Sequence, residues 1–132
     1  MFLNRLNNEE KKAFLSLAHH MARIDANFMD EQKQIISQYC LEMGIDDIEY
    51  DESKFDLVKV LKTFTNSKSQ KIVLLEIMAL VYADNILHET EQEVIDTMCK
   101  EFNINSNLAN VFGEWSKAIM ALYIQGENLI EL

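Results

Sequence analysis

A chain of 132 residues with 48% apolar residues is long enough to bury one ordinary core and too apolar to be disordered. No proline and only three glycines disfavour a turn-rich β-sandwich and suit helices. The formal charge of −10 argues against nucleic acid and anionic membrane surfaces, which need clustered Lys and Arg, and leaves cations and proteins as partners.

Along the chain, a first helix is expected from near Asn7, where Glu10 completes a capping-box pattern, to about Ile24–Asp25. Phe14, Leu17, Ala18, Met21 and Ala22 form its apolar stripe. A second helix opens near Asp30, carries Ile35, Ile36, Tyr39, Cys40 and Met43, and stops at Gly44. The acidic connector 46–52 follows. Ser53 with Asp56 reads as a cap for a short helix through Leu57, Val60, Leu61 and Phe64, and Ser67 with Gln70 as the next cap. The helix 71–83 is apolar on nearly every face, which marks the buried centre of a bundle. An amphipathic helix with Val94, Ile95, Met98, Cys99 and Phe102 comes next. The last helix starts near Ser106, has Leu108, Val111, Phe112, Trp115, Ile119, Leu122 and Tyr123 as its core stripe, and ends at Gly126, leaving 127–132 loose.

The chain also repeats itself at an offset of 59 residues. Leu15, Asp25, Ile36, Cys40, Glu42 and Ile45 fall on Leu74, Asp84, Ile95, Cys99, Glu101 and Ile104 without a gap. Each copy reads as apolar helix, acidic turn, amphipathic helix. The expected fold is therefore all-α: a compact bundle of about six helices, one domain over 1–132, with a pseudo-twofold relation between 14–45 and 73–104. Neither half stands alone, because each exposes an apolar face that needs the other.

The acidic turns are the first candidates for chemistry. Asp25 and Asp84 sit at expected helix C-termini, where the macrodipole disfavours a carboxylate and a cation would compensate it. Asp30 and Glu31 follow one turn, Glu89 and Glu91 the other. These six carboxylates are the candidate metal ligands, and an oxygen-only set suits Ca²⁺ or Mg²⁺. The competing reading makes them turn formers and helix caps. Neither turn is an EF-hand, since Met29, Asp30 and Ile36 stand where its third ligand, Gly and closing Glu belong. His19 and His20 point about 100° apart on one helix and are read as surface or boundary residues. His88 is a possible extra nitrogen ligand, and Cys40 and Cys99 read as free, buried hydrophobes. Glu76 is expected to face solvent or snorkel, with a buried carboxylate as the minority alternative. No catalytic residue is expected: no nucleophile with its base and no phosphate-cradling Gly loop is present. With no secretory signal and no stretch long enough to span a bilayer, the expected compartment is cytoplasmic and the expected partners are unidentified proteins, with the chain a monomer or homodimer.

The stretches Leu17–Asp25 through Ile36 and Ile77–Asp84 through Ile95 resemble the TerB-like family, named for tellurite-resistance protein B. Ala83-Asp84-Asn85-x-Leu87-x-x-x-Glu91 is similar to the family's Ala-Asp-Gly-x-Ile-x-x-x-Glu, and the resemblance spans about residues 14–122. Asn85 and Ala26 stand where Gly is usual, and Gln32 where the first copy would have Glu, so the two turns are not expected to bind a cation equally. The resemblance implies an all-helical, non-enzymatic domain with a divalent-cation site and a role in stress-linked protein assemblies. The alternatives carried beside it are a metal-free interaction adaptor and a metal-dependent hydrolase.

Overall fold

The structure is a computed structural model that describes residues 1–24, 30–82 and 88–132, with residue 31 described by its backbone alone. The described residues form six helices and no strand: α1 (Asn8–Arg23), α2 (Asp30–Met43), α3 (Leu57–Leu61), α4 (Ser67–Tyr82), α5 (Glu89–Glu101) and α6 (Ser106–Ile130). Two 3₁₀ turns, Leu3–Arg5 and Glu52–Lys54, precede α1 and α3. Among the described residues no helix is long and apolar enough to cross a membrane.

Local chemistry sets the ends. Asn7 caps α1 reciprocally: its side chain accepts the Glu10 N–H at 2.9 Å, and its own N–H donates to Glu10 Oε1 at 2.9 Å. The α4 cap is one residue earlier than the sequence suggested. Asn66, not Ser67, accepts the Ser69 N–H at 2.9 Å, and Gln70 turns its amide to the Phe64 carbonyl. Likewise Asp56, not Ser53, caps α3, while Asp51 caps the 3₁₀ turn that holds Ser53. Gly44 closes α2 at φ +68°, with Gly44 N–H on the Leu41 carbonyl and Ile45 N–H on the Cys40 carbonyl. That is a Schellman ending, in which a left-handed residue satisfies the last carbonyls. Beyond α5, Asn103 takes the same role at φ 54°, and Ile104 N–H bonds the Cys99 carbonyl at 2.9 Å. Asn is the usual substitute for Gly there.

Several landmarks thus share the 59-residue spacing. Asn7 and Asn66 cap the 16-residue helices α1 and α4, α2 and α5 open at residues 30 and 89, and Gly44 and Asn103 end them.

Helix α4 is the centre. It packs against α1, α5, α6 and the N-terminal turn, and it buries Val73, Leu74, Ile77, Met78, Ala79 and Val81. Phe14, Leu15 and Leu17 of α1, Leu61, Phe64 and Met98 complete the core, and Leu3 and Leu6 of the N-terminal segment join it. Burial of such side chains contributes about 1.5–3 kcal/mol each.

The last helix departs from expectation. Gly126 does not end α6, which runs to Ile130. Only Gly113 and Ser116 are buried on it, facing Tyr82 and the Leu75 carbonyl of α4. Val111, Trp115, Leu122 and Tyr123, expected in the core, are exposed. Ala109 and Phe112 are partly buried against the core beside Gly113 and Ser116, and Trp115 packs on the Phe2 ring at 6.0 Å.

Candidate functional site

The acidic residues divide between described and undescribed positions. Asp25 and Asp84 lie outside the described residues, and so does the side chain of Glu31. Asp30 opens α2 in solvent, 3.9 Å from Lys33. Glu89 opens α5 and is exposed. Glu91 is nearly buried, and its Oε1 accepts the His88 N–H at 3.1 Å, closing the α5 N-terminus. Carboxylates in a first helical turn are favoured by the macrodipole without any ion. Among the described residues no three His, Cys, Asp or Glu side chains gather as a metal would require.

Two polar clusters are better built. The first joins α1 to the connector after α2. His19 is buried, its Nε2 2.8 Å from Asp47 Oδ1 and its Nδ1 2.7 Å from Arg23 Nη1. A guanidinium only donates, so Nδ1 accepts and Nε2 carries the proton toward Asp47. Arg23 also lies over the Tyr50 ring at 4.8 Å, and Tyr50 stacks on His19. His20, half-buried, stacks on Phe55 at 4.2 Å, and its Nδ1 is 3.3 Å from the Tyr50 hydroxyl. Burial lowers the His20 pKa, against a smaller opposing pull from Glu52. Beside this cluster an open cleft of about 490 Å³ is lined by groups of both signs, among them Glu9, Lys12, Asp51 and Lys54.

The second cluster surrounds Glu76. This residue is 4% exposed, which reverses the expected outward position. Its Oε1 accepts the Phe2 N–H at 2.8 Å and sits 3.0 Å from the Met1 ammonium. Glu42 of α2 completes the clamp, taking the Leu3 N–H and the same ammonium at 3.0 Å. A buried charge needs such partners. Periodicity places Glu76 on the central helix, but its partners come from a turn 74 residues earlier, which no local pattern reveals. Burial pushes the nearby Tyr39 phenol up, with Glu76 and Glu42 adding to the effect. A small apolar pocket of about 230 Å³ opens here between α2, α4 and α6, lined by Ile35, Leu80, Ile119 and Met120.

The thiols are free, as expected, but half-buried rather than buried. Burial raises the pKa of both, and the carboxylates Asp47 and Asp46 near Cys40 and Asp96 near Cys99 add to it. Such thiols are held away from the reactive thiolate form.

The remaining feature is the outward face of α6. Val111 is 61% exposed, Leu122 60% and Leu129 68%, with Trp115 between them. Leu108, Val111, Trp115 and Leu122 were legible in the sequence as part of an apolar stripe, whereas Leu129 falls in the segment expected to be loose. What it could not reveal was that a second apolar side, centred on Gly113 and Ser116, takes the contact with α4.

Fold and surface together define an all-helical bundle with one unusually apolar exposed helix. No family model matches the chain, and no curated protein or solved structure matches it.

Proposed function

We propose that this chain is a non-enzymatic protein-interaction module of TerB-like type that works in the cytoplasm and presents α6 to a protein partner. The observation that carries this is the apolar outward face of α6. Exposed apolar stripes of this length on a small protein mark interaction surfaces. The chemistry of the rest agrees. His19 has both ring nitrogens engaged, and both thiols are shifted away from nucleophilic thiolates. The test is a photo-reactive side chain placed at Ala118, in the middle of that face, compared with one at Lys59 on α3. Cross-links in the cell concentrated at 118 support the reading, and equal yield at both sites overturns it.

A divalent ion on the acidic turns is the second reading. It is favoured by Asp30 and Glu89 opening α2 and α5 at equivalent positions 59 residues apart. It is compatible with an interaction role and has its own test in the Discussion.

A further inference from the structure

We infer that the pocket between α2, α4 and α6 binds a small primary amine with an apolar tail, its ammonium on Glu76 and its tail among Ile35, Leu80, Ile119 and Met120. The site is independent of the interaction-module reading, which needs only the outward residues of α6.

The first support is an unused acceptor. Glu76 is 4% exposed and lines this pocket. Its Oε1 takes the Phe2 N–H at 2.8 Å and lies 3.0 Å from the Met1 ammonium, whereas among the described residues nothing donates to Oε2. No buried side-chain oxygen among the described residues lacks a partner, so Oε2 stays reachable from outside, and the pocket that Glu76 lines leads to it. Tyr39 repeats the pattern. It lines the same pocket, its ring packs edge-on against Phe14 at 5.1 Å, and its hydroxyl has no hydrogen-bond partner among the described residues. A carboxylate oxygen in apolar surroundings is costly unless something donates to it.

The second support is charge. Glu42 and Glu76 are two carboxylates sharing one ammonium, that of Met1, which leaves one negative charge in excess. Tyr39 adds none, because burial holds its phenol in the neutral form, with Glu76 and Glu42 adding to the effect. An anion is therefore repelled. A neutral apolar molecule would cover Oε2 without donating to it. A divalent metal ion needs several oxygens, and among the described residues no three His, Cys, Asp or Glu side chains gather to supply them. An ammonium balances the excess charge and gives Oε2 a charge-assisted hydrogen bond.

The third support is shape. The pocket holds about 230 Å³ between walls that are mostly aliphatic. Pockets for drug-sized ligands begin near about 300 Å³, so the occupant is smaller, a single ring or a short alkyl chain beside its amine. The walls hold such a tail by burying it, and the few polar atoms fix which end points inward.

Titration calorimetry of the untagged chain with 2-phenylethylamine near neutral pH tests this. The comparison probes are 2-phenylethanol and 3-phenylpropanoate, which are similar in size and carry no charge or the opposite one, and methylammonium, which has the charge without the tail. The phenylethylamine should bind with a Kd of about 1 mM or below. It should bind at least about tenfold tighter than the alcohol or methylammonium, and the carboxylate should not bind. Glu76→Gln keeps an oxygen for the Phe2 N–H and removes the excess charge, so it should bring the amine down to the alcohol's affinity. Ile119→Trp, at a half-buried position on the pocket wall, should remove binding of both by filling the space for the ring. Circular dichroism checks that both variants keep their helices. If Glu76→Gln fails to fold, Ile119→Trp and the four probes on the wild type decide the matter. The proposal is overturned by any one of four results: no binding of the amine up to about 10 mM, an alcohol, carboxylate or methylammonium that binds as tightly, an amine affinity unchanged in folded Glu76→Gln, or one unchanged in Ile119→Trp.

Discussion

Replacing Glu76 probes the least legible part of the fold. Its Oε1 serves two donors, the Phe2 N–H at 2.8 Å and the Met1 ammonium at 3.0 Å. Hydrogen bonds to a charged group contribute about 1.5–3 kcal/mol each, and removing one member of a buried pair costs about 3–5 kcal/mol. The upper figure needs discounting here. The ammonium is 41% exposed and keeps Glu42 at 3.0 Å, so it is not stranded. Glu76→Ala should then cost about 2–3 kcal/mol, most of it from leaving the Phe2 N–H without its acceptor. Glu76→Gln keeps an oxygen for that N–H and loses only the charge, so about 1 kcal/mol is expected. Urea unfolding of the untagged chain measures both, as a shift of midpoint at constant slope. An alanine variant within about 0.5 kcal/mol of wild type, the range of ordinary surface changes, would refute the reasoning. So would a glutamine variant as damaging as alanine, since the hydrogen bond would then be irrelevant.

Three further outcomes are expected. His20 has a lowered folded pKa, so the unfolded chain takes up its proton first on acidification. Its contribution is complete above about pH 6.5 and is lost as pH falls toward the folded pKa, and His20→Asn should flatten the urea-midpoint profile between about pH 7.5 and 5.5. Asn66→Ala removes the acceptor of the Ser69 N–H and should lower stability by about 1 kcal/mol, measured by thermal melt. If the acidic turns hold a divalent ion, Ca²⁺ or Mg²⁺ at a hundredfold excess over its dissociation constant adds about 2.7 kcal/mol. Asp84→Asn should then blunt that gain more than Asp25→Asn, whereas equal shifts with monovalent salt at matched ionic strength would rule the site out.

The bundle was legible because its signals are local. Asn7 with Glu10, Gly44 after Met43, and the all-round apolarity of α4 each need only a few neighbouring residues to be read. Asn66 was missed because Ser67 with Gln70 offers a capping-box spacing one residue later, and Asn103 because Asn is a rarer helix stop than Gly, although here it does the same work. Glu76 was misread because its burial depends on donors from Phe2 and Met1, and the α6 stripe because periodicity identifies apolar sides without ranking them. The acidic turns were legible as a pattern, yet Glu91 finds a backbone partner and Asp30 stays in solvent.

The clamp on Phe2 and Leu3 also sets an order of events during synthesis. The turn at Leu3–Arg5 leaves the ribosome before its acceptors on Glu42 and Glu76, which lie 39 and 74 residues behind Leu3 and Phe2. At about 5–20 residues per second the second acceptor follows about 4–15 s later. Over that interval Leu3 and Leu6 have no finished core to enter, since Leu74 and Ile77 arrive with Glu76. This turn is therefore made before the helices that seat it, and its docking waits on α4.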